Sequence, residues 1–368
     1  MNKEFFNKIN YKKEPLFIVS KFLIILLLIL SISCSKDEII DDTENEIRLD
    51  TDNDGILDKD DECPNIFGTN ALNGCPEEKE EEEEVDTSSD LDPSKSPSGN
   101  FDLSDWYLSI PENNGSGVAT SIKENELNNN YSNSAYFYTA EDGGMVFKCP
   151  IAGYKTSSNT SYTRTELREM MRAGDTNIST SGINLNNWVF GSSTSSNKSK
   201  AGGYDGELTA TLAVNYVTTT GDNSQVGRVI VGQIHASNNE PCRLYYRKLK
   251  GNSNGSIYFA HETESGSESW HALIGSKDNS ASNPSDGIAL NEKFSYSIKV
   301  VDNDLTVTIS REGKSDVSKK IDMSSSNYAD EYMYYKAGVY NQNKSGDDND
   351  YVQATFYSLA NTHTGYDH

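Results

Sequence analysis

The chain is short of positive charge. It carries 32 lysines and arginines against 56 aspartates and glutamates over 368 residues, a formal charge of −24. That balance argues against a nucleic-acid binder, whose phosphate contacts call for a strongly basic surface. Long apolar runs are also lacking, and the stretch Phe22 to Leu30 is too short for a comfortable membrane span. Strong helix formers give way to Ser, Asn, Thr, Gly and Tyr, and no internal repeat or sustained helical period is visible after residue 100. Together these absences favour an all-β architecture.

The negative charge is unevenly spread. Residues 35–100 hold 23 acidic and 5 basic side chains, and residues 101–368 hold 31 and 22. Most of the excess therefore lies outside the large C-terminal region, which leaves room there for a local basic cleft. Residues 1–33 read as a signal peptide, with five lysines ahead of the apolar run and small residues after it. Leu30-Ser31-Ile32-Ser33-Cys34 resembles a bacterial lipobox, which would make Cys34 a lipidated first residue and the acidic stretch 34–48 a lipoprotein tether. The resemblance implies membrane attachment through lipid, at the outer membrane and facing the cell surface. The alternative is plain secretion.

Residues 49–76 contain Asp50, Asp52, Asp54, Gly55, Asp58 and Asp61 at loop positions 1, 3, 5, 6, 9 and 12, the spacing by which a tight loop wraps oxygen ligands around Ca²⁺. With Cys63-Pro64 and Asn73-Gly74-Cys75-Pro76 the segment resembles a thrombospondin type 3 repeat, a calcium-stiffened spacer. Cys63 and Cys75 are expected to pair in an oxidising compartment. Cys149 and Cys242 then remain either as a second bridge or as two buried thiols. Residues 77–100, with the run Glu77 to Glu84 broken only by Lys79, read as an extended, self-repelling linker.

From residue 101 to 368, apolar residues alternate with polar ones between Gly, Asn, Asp and Ser clusters. Examples are Leu208, Ala210, Leu212, Val214 and Tyr216, and then Phe294, Tyr296, Ile298 and Val300. This spacing predicts an antiparallel β-sandwich or jelly roll. Three strings are unlike the rest. Arg164, Glu166 and Arg168 share one strand face, Gln233 and His235 share another against Ile234, and Tyr334, Lys336, Tyr340 and Gln342 share a third against Tyr335, Ala337 and Val339. Side by side in one sheet they would floor a cleft with guanidinium, amide, imidazole, ammonium and phenol groups, a surface suited to an acidic polymer.

Arg164-Thr165-Glu166-Leu167-Arg168, Gln233-Ile234-His235 and Tyr335-Lys336-Ala337-Gly338-Val339-Tyr340-Asn341-Gln342 resemble the three signature strands of polysaccharide lyase family 7, the alginate lyases, in the family's order. The resemblance implies a jelly-roll β-sandwich with a substrate cleft on its concave sheet. It also implies Arg164, Gln233, His235 and Tyr340 as catalytic residues, with Glu166, Arg168, Tyr334, Lys336 and Gln342 lining neighbouring subsites. The implied reaction is β-elimination on 1,4-linked uronate in alginate, giving 4,5-unsaturated products by a monomer that needs no metal for catalysis. Ile234 accompanies activity on guluronate-containing blocks in such enzymes.

The chemistry of these side chains agrees. The C5 proton of a uronate is barely acidic beside its carboxylate, so donors such as Arg164 and Gln233 must neutralise that group. His235 is suited to take the proton or polarise the carboxylate, and Tyr340 to protonate the departing O4. Glu166 is expected to orient both arginines. Arg243 and Arg247 either extend the cleft or face solvent, and packing roles are expected for His261 and His271. A glycoside hydrolase would need two carboxylates across the bond. The competing functions are a non-catalytic polysaccharide-binding module, which has no need for His235 and Tyr340 together, and a lyase for another polyuronate.

Overall fold

A computed structural model describes residues 49–75, apart from 53–54 and 67–68, and residues 91–366. The signal segment, the tether with Cys34, Asp54 and the glutamate run lie outside the described residues. The chain divides into two compact units, residues 1–83 and 84–368.

In the first unit Cys63 and Cys75 form the expected disulfide. Thr51 donates from its backbone and hydroxyl to Asp58 at 2.8 and 2.7 Å, and the backbone N–H of Gly55 reaches Asp50 at 3.1 Å. Glu62 N–H bonds Asn73 O at 3.0 Å, closing the loop beside the disulfide.

The second unit is a jelly-roll sandwich of two sheets. In the first, strands run in the order β11 (Glu268–Ile274), β10 (Asn254–Glu262), β9 (Cys242–Arg247), β8 (Arg228–His235), β16 (Tyr334–Asn341), β5 (Arg164–Glu169), β1 (Trp106–Asn113) and β2 (Ala119–Ile122), all antiparallel. In the second the order is β15 (Lys314–Asp322), β14 (Asp304–Arg311), β13 (Lys293–Val301), β7 (Gly203–Tyr216), β17 (Tyr351–Thr364), β4 (Met145–Pro150) and β3 (Phe137–Thr139). Short strands β12 (Ile288–Ala289) and β6 (Trp188–Val189) attach to β10 and β7. Among the described residues helices are limited to single turns. Residues 91–100, part of the stretch read as linker, are seated on this unit. Leu91 packs on the core, and the Asn100 amide donates to the carbonyls of Asp92 and Gly143.

Period-two patterning builds the core. Phe294, Tyr296, Ile298 and Val300 of β13 and Leu305, Val307 and Ile309 of β14 face inward, while their neighbours face solvent. The edge strand β15 is mostly exposed and rich in lysine, which discourages pairing with another chain. β5 and β16 break the alternation, being buried on both faces. Their outer face is polar yet covered, which marks a cleft. Cys149 on β4 and Cys242 on β9 are free, buried thiols, which settles the choice left open by their number. Burial pushes Cys149 up to about 12.

The cleft strands are pinned from below. Glu169, the last residue of β5, is fully buried and accepts hydrogen bonds from the Tyr335 N–H at 2.9 Å, the Asn361 amide at 2.7 Å and His363 Nε2 at 2.7 Å. His363 Nδ1 in turn contacts the Asp205 carbonyl at 2.6 Å. One carboxylate thus joins β5 and β16 of the first sheet to β17 of the second. Burial opposes its ionisation, but His363 and the hydrogen bonds hold its pKa below the ordinary 4.5. Because the folded pKa is depressed, this contribution to stability is present above the unfolded value and is lost as pH falls toward the folded one. Replacing His363 by Ala should cost about 3–5 kcal/mol at neutral pH. Thermal unfolding of both proteins across acid pH checks this, and the gap between them should narrow below the ordinary carboxylate pKa.

Candidate active site

The three predicted strings occupy three adjacent strands, β5, β16 and β8. Register places Lys336 opposite both Arg168 and Gln233, Tyr334 opposite His235, and Tyr340 opposite Arg164. Gly338 lies opposite Glu166 with φ +130°, a backbone conformation that only glycine adopts readily. A Cβ there would meet the Thr165 carbonyl at 2.8 Å.

Glu166 is the hub. Its carboxylate is 2 % exposed and receives Arg164 Nη1 at 2.8 Å, Lys336 Nζ at 2.5 Å and the Gln233 amide. Burial works against its charge, yet Lys336 and Arg164 more than compensate and keep its pKa below the usual range. Lys336 is pushed down to about 8 by burial and by the Arg164 charge, with Glu166 opposing. Arg164 also covers Tyr340, its guanidinium 3.7 Å from the ring centre, and Tyr162 meets the same ring edge-on at 6.1 Å. Burial raises the Tyr340 pKa while Arg164 lowers it, leaving it above 10 and the phenol protonated at neutral pH.

His235 is placed by a second stack. Tyr334 lies parallel to its ring at 4.9 Å, and the Arg168 guanidinium lies 3.9 Å from the centre of the Tyr334 ring. His235 Nδ1 contacts the Ala236 carbonyl at 2.5 Å, so Nδ1 carries the hydrogen and Nε2 the lone pair. Burial and then the charges of Lys336, Arg164 and Arg168 push its pKa down to about 3, so the ring is neutral over the physiological range. Glu240 Oε1 stands 3.3 Å from Nε2.

A bulge shapes the remaining wall. Val231 is an extra residue in β8 relative to β9, and its carbonyl accepts from Tyr296 of the opposite sheet at 3.1 Å. Upstream of it the strand's facing flips. Val229 and Val231 join the main core, while Ile230 clusters with Tyr245, Tyr258 and Ala260, against which Tyr340 and Trp270 pack. Arg164 Nε and Gln342 Nε2 are buried without hydrogen-bond partners among the described residues, which suits a ligand rich in carboxylates and hydroxyls.

The predicted residues thus converge, with one correction. Glu166 does not orient both arginines. It holds Arg164, Lys336 and Gln233, whereas Arg168 turns to the Thr180 carbonyl at 2.7 Å and to Tyr334. Arg243 faces the Glu240, Glu262 and Glu268 carboxylates, and Arg247 is a buried staple to backbone carbonyls of Asn223 and Lys277. His261 is fixed between Pro241 O and Ser326 Oγ, and His271 stacks on Phe259, both packing roles. Three further residues join the site without a sequence expectation, namely Tyr162, Tyr107 beneath Arg168, and Glu240. Tyr162 shares the alternation of Arg164 and is open to detection on that ground, but nothing in the sequence marks Glu240.

The fold and cleft define a polyanion-directed, carbohydrate-active β-sandwich. The alginate lyase family pattern matches residues 101–363. An alginate lyase of Klebsiella pneumoniae is 55 % identical over 279 residues, covering 73 % of this chain and 91 % of that protein. The crystal structure of the alginate lyase from that organism superposes with a TM-score of 0.72 over 73 % of this chain and 98 % of the other, at 54 % identity. A Pseudomonas aeruginosa alginate lyase gives 0.52 at 26 % identity, over 71 % and 99 %. The fold is shared with alginate lyase A1-II′, a member of polysaccharide lyase family 7, at 0.54, 24 % identity and coverage of 73 % and 99 %. The chain belongs to the alginate lyases of polysaccharide lyase family 7.

The ammonium of Lys336 is present below about pH 8 and lost above it. KM for a polyuronate should therefore rise as pH increases through that value. Lys336→Arg, whose guanidinium stays charged, should flatten this limb in a KM–pH series.

Proposed function

We propose that this protein cleaves alginate by β-elimination at 1,4-linked uronate residues, acting on guluronate-containing blocks. The observation that carries the reading is the Glu166 hub. One buried carboxylate gathers two cations and an amide, leaving a net positive, desolvated site for a substrate carboxylate. Arg164, Lys336 and Gln233 would hold that carboxylate and stabilise the charge that builds as C5 loses its proton.

Neutral His235 presents Nε2 as the base. Tyr340, kept protonated by burial and oriented by Arg164, Ile230 and Tyr162, supplies the proton to O4. Where the C5 hydrogen lies on the other side of the ring, Tyr340 would act as base. Arg168, Tyr334 and Gln342 would contact neighbouring sugars. Glu166 is held ionised by its partners, which suits an orienting anion and not the protonated acid of a hydrolase. Ile234 is fully buried in the core, so its bearing on block preference would pass through the placement of Gln233 and His235.

Digestion of pure guluronate and pure mannuronate blocks, followed by ultraviolet absorbance, tests the reading. A conjugated double bond should appear, faster on guluronate. A hydrolase would give reducing ends without absorbance, and a binding module neither. Tyr340→Phe should lower kcat about 10²–10⁴-fold, and near-normal turnover would remove Tyr340 as the acid.

We further propose export, lipid attachment at Cys34 and Ca²⁺ binding by the loop Asp50, Asp52, Asp54, Asp58 and Asp61. In support, Asp50 Oδ1 and Asp61 Oδ2 are buried without hydrogen-bond partners among the described residues, as oxygens meant for a cation would be. Calcium titration by calorimetry should show one site that Asp50→Asn abolishes while lyase activity is kept.

A further inference from the structure

Glu240 is out of place in a cleft built for anions. It lies in the loop between β8 and β9, and a carboxylate there repels the polymer. The loop is nevertheless tied down on every side. The Glu240 carbonyl accepts from Glu262 N–H at 3.2 Å, the Ala236 N–H from within the loop reaches Asn239 O at 2.8 Å, and the Asn239 amide donates to Thr263 O at 3.1 Å. Pro241 follows directly and restricts the Glu240 backbone to extended conformations. The Pro241 carbonyl is in turn held by His261 at 2.8 Å.

The side chain is aimed as firmly. Oε1 stands 3.3 Å from His235 Nε2, and Oε2 stands 3.8 Å from Arg243 Nη1. Arg243 is itself held by Glu262 at 3.4 Å and by Glu268, so Glu240 is one of three carboxyl groups around one guanidinium. The ring therefore has a carbonyl at Nδ1 and a carboxylate at Nε2, with Tyr334 stacked on its face. The charges of Lys336 on β16 and of Arg164 and Arg168 on β5 act against any proton it gains. Glu240 acts for it.

Resting on the reading of His235 as base, we infer that Glu240 is a positioning residue whose carboxylate stabilises the imidazolium formed during elimination. In that step the C5–H bond breaks and its proton passes to His235 Nε2. The electron pair becomes the C4=C5 double bond, and the C4–O4 bond electrons leave on O4, which takes the Tyr340 proton. Both side chains reset by proton exchange with water. Without Glu240 the imidazolium would arise among three cations with no anion on its outer edge.

The test compares Glu240→Gln, Glu240→Asp and His235→Asn with the parent on alginate, reading kcat and KM against pH and checking folding by thermal unfolding. Glu240→Gln should lower kcat about 10–100-fold with KM within about twofold, since a group that assists the base changes the chemical step more than binding. The acid limb should move down by about one pH unit, because loss of a neighbouring negative charge weakens proton binding to the imidazole. Glu240→Asp, which keeps the charge, should recover part of kcat, and it carries the test if the Gln variant is unstable. An unshifted limb with unchanged kcat, or an effect confined to KM, overturns the inference. Full turnover by His235→Asn would instead overturn the assignment of the base, whereas an inactive His235→Asn beside a normal Glu240→Gln removes Glu240 alone.

Discussion

A single buried carboxylate organises the cleft. Taking Glu166 out of water costs several kcal/mol, and that cost is offset only if its oxygens are paired with good geometry. Lys336, Arg164 and Gln233 do so from three neighbouring strands, so the strand register and the positions of the cleft's donors are set by the same requirement. Two cations on one anion leave a positive excess in a place that water barely reaches, where charge is felt most strongly. An acidic chain can thereby bind an acidic polymer. Its net charge is distributed elsewhere, and the cleft is governed by groups within a few ångströms.

The apolar interior reaches the same site by two routes. Glu169 ties β5 and β16 to β17 through His363 and Asn361, fixing the height of the strands that carry Arg164 and Tyr340. Tyr296 crosses the sandwich to support the Val231 bulge, which turns Ile230 toward the cleft as a wall for Tyr340. A sheet with strict alternation would have put Ile230 in the core and left the phenol without that contact. The placement of that phenol thus depends on core packing as well as on its own strand.

Much of this is legible because a β-strand writes its two faces into alternate residues. Arg164, Glu166 and Arg168, Gln233 and His235, and Tyr334, Lys336 and Tyr340 each declare a polar face, and the antiparallel sandwich follows from the same period. The partners of Glu166 are not legible in this way, for a physical reason. Glu166 lies opposite Gly338, which offers no side chain, so Lys336 reaches it diagonally from β16 and Gln233 from β8 beyond, while Arg168 meets Tyr334 and the Thr180 carbonyl instead. The change of face in β8 is hidden because Val229, Ile230 and Val231 are all apolar and show no alternation to break. Glu240 is invisible, since a loop carboxylate has no period and gains meaning only from what lies across from it.

The sequence by itself determined the fold class, the family and the side chains that floor the cleft, because periodicity and short strings survive in one dimension. It also announced the Cys63–Cys75 bridge, whose partners are near in the chain. Only the tertiary structure decided that Cys149 and Cys242 stay reduced, that Arg247 staples loops while Arg243 meets glutamates, and that His235 is held neutral with its lone pair toward a carboxylate. Those outcomes depend on distances between strands far apart in sequence. Electrostatic energy is set by separation and burial, and neither is defined until the sheets have closed.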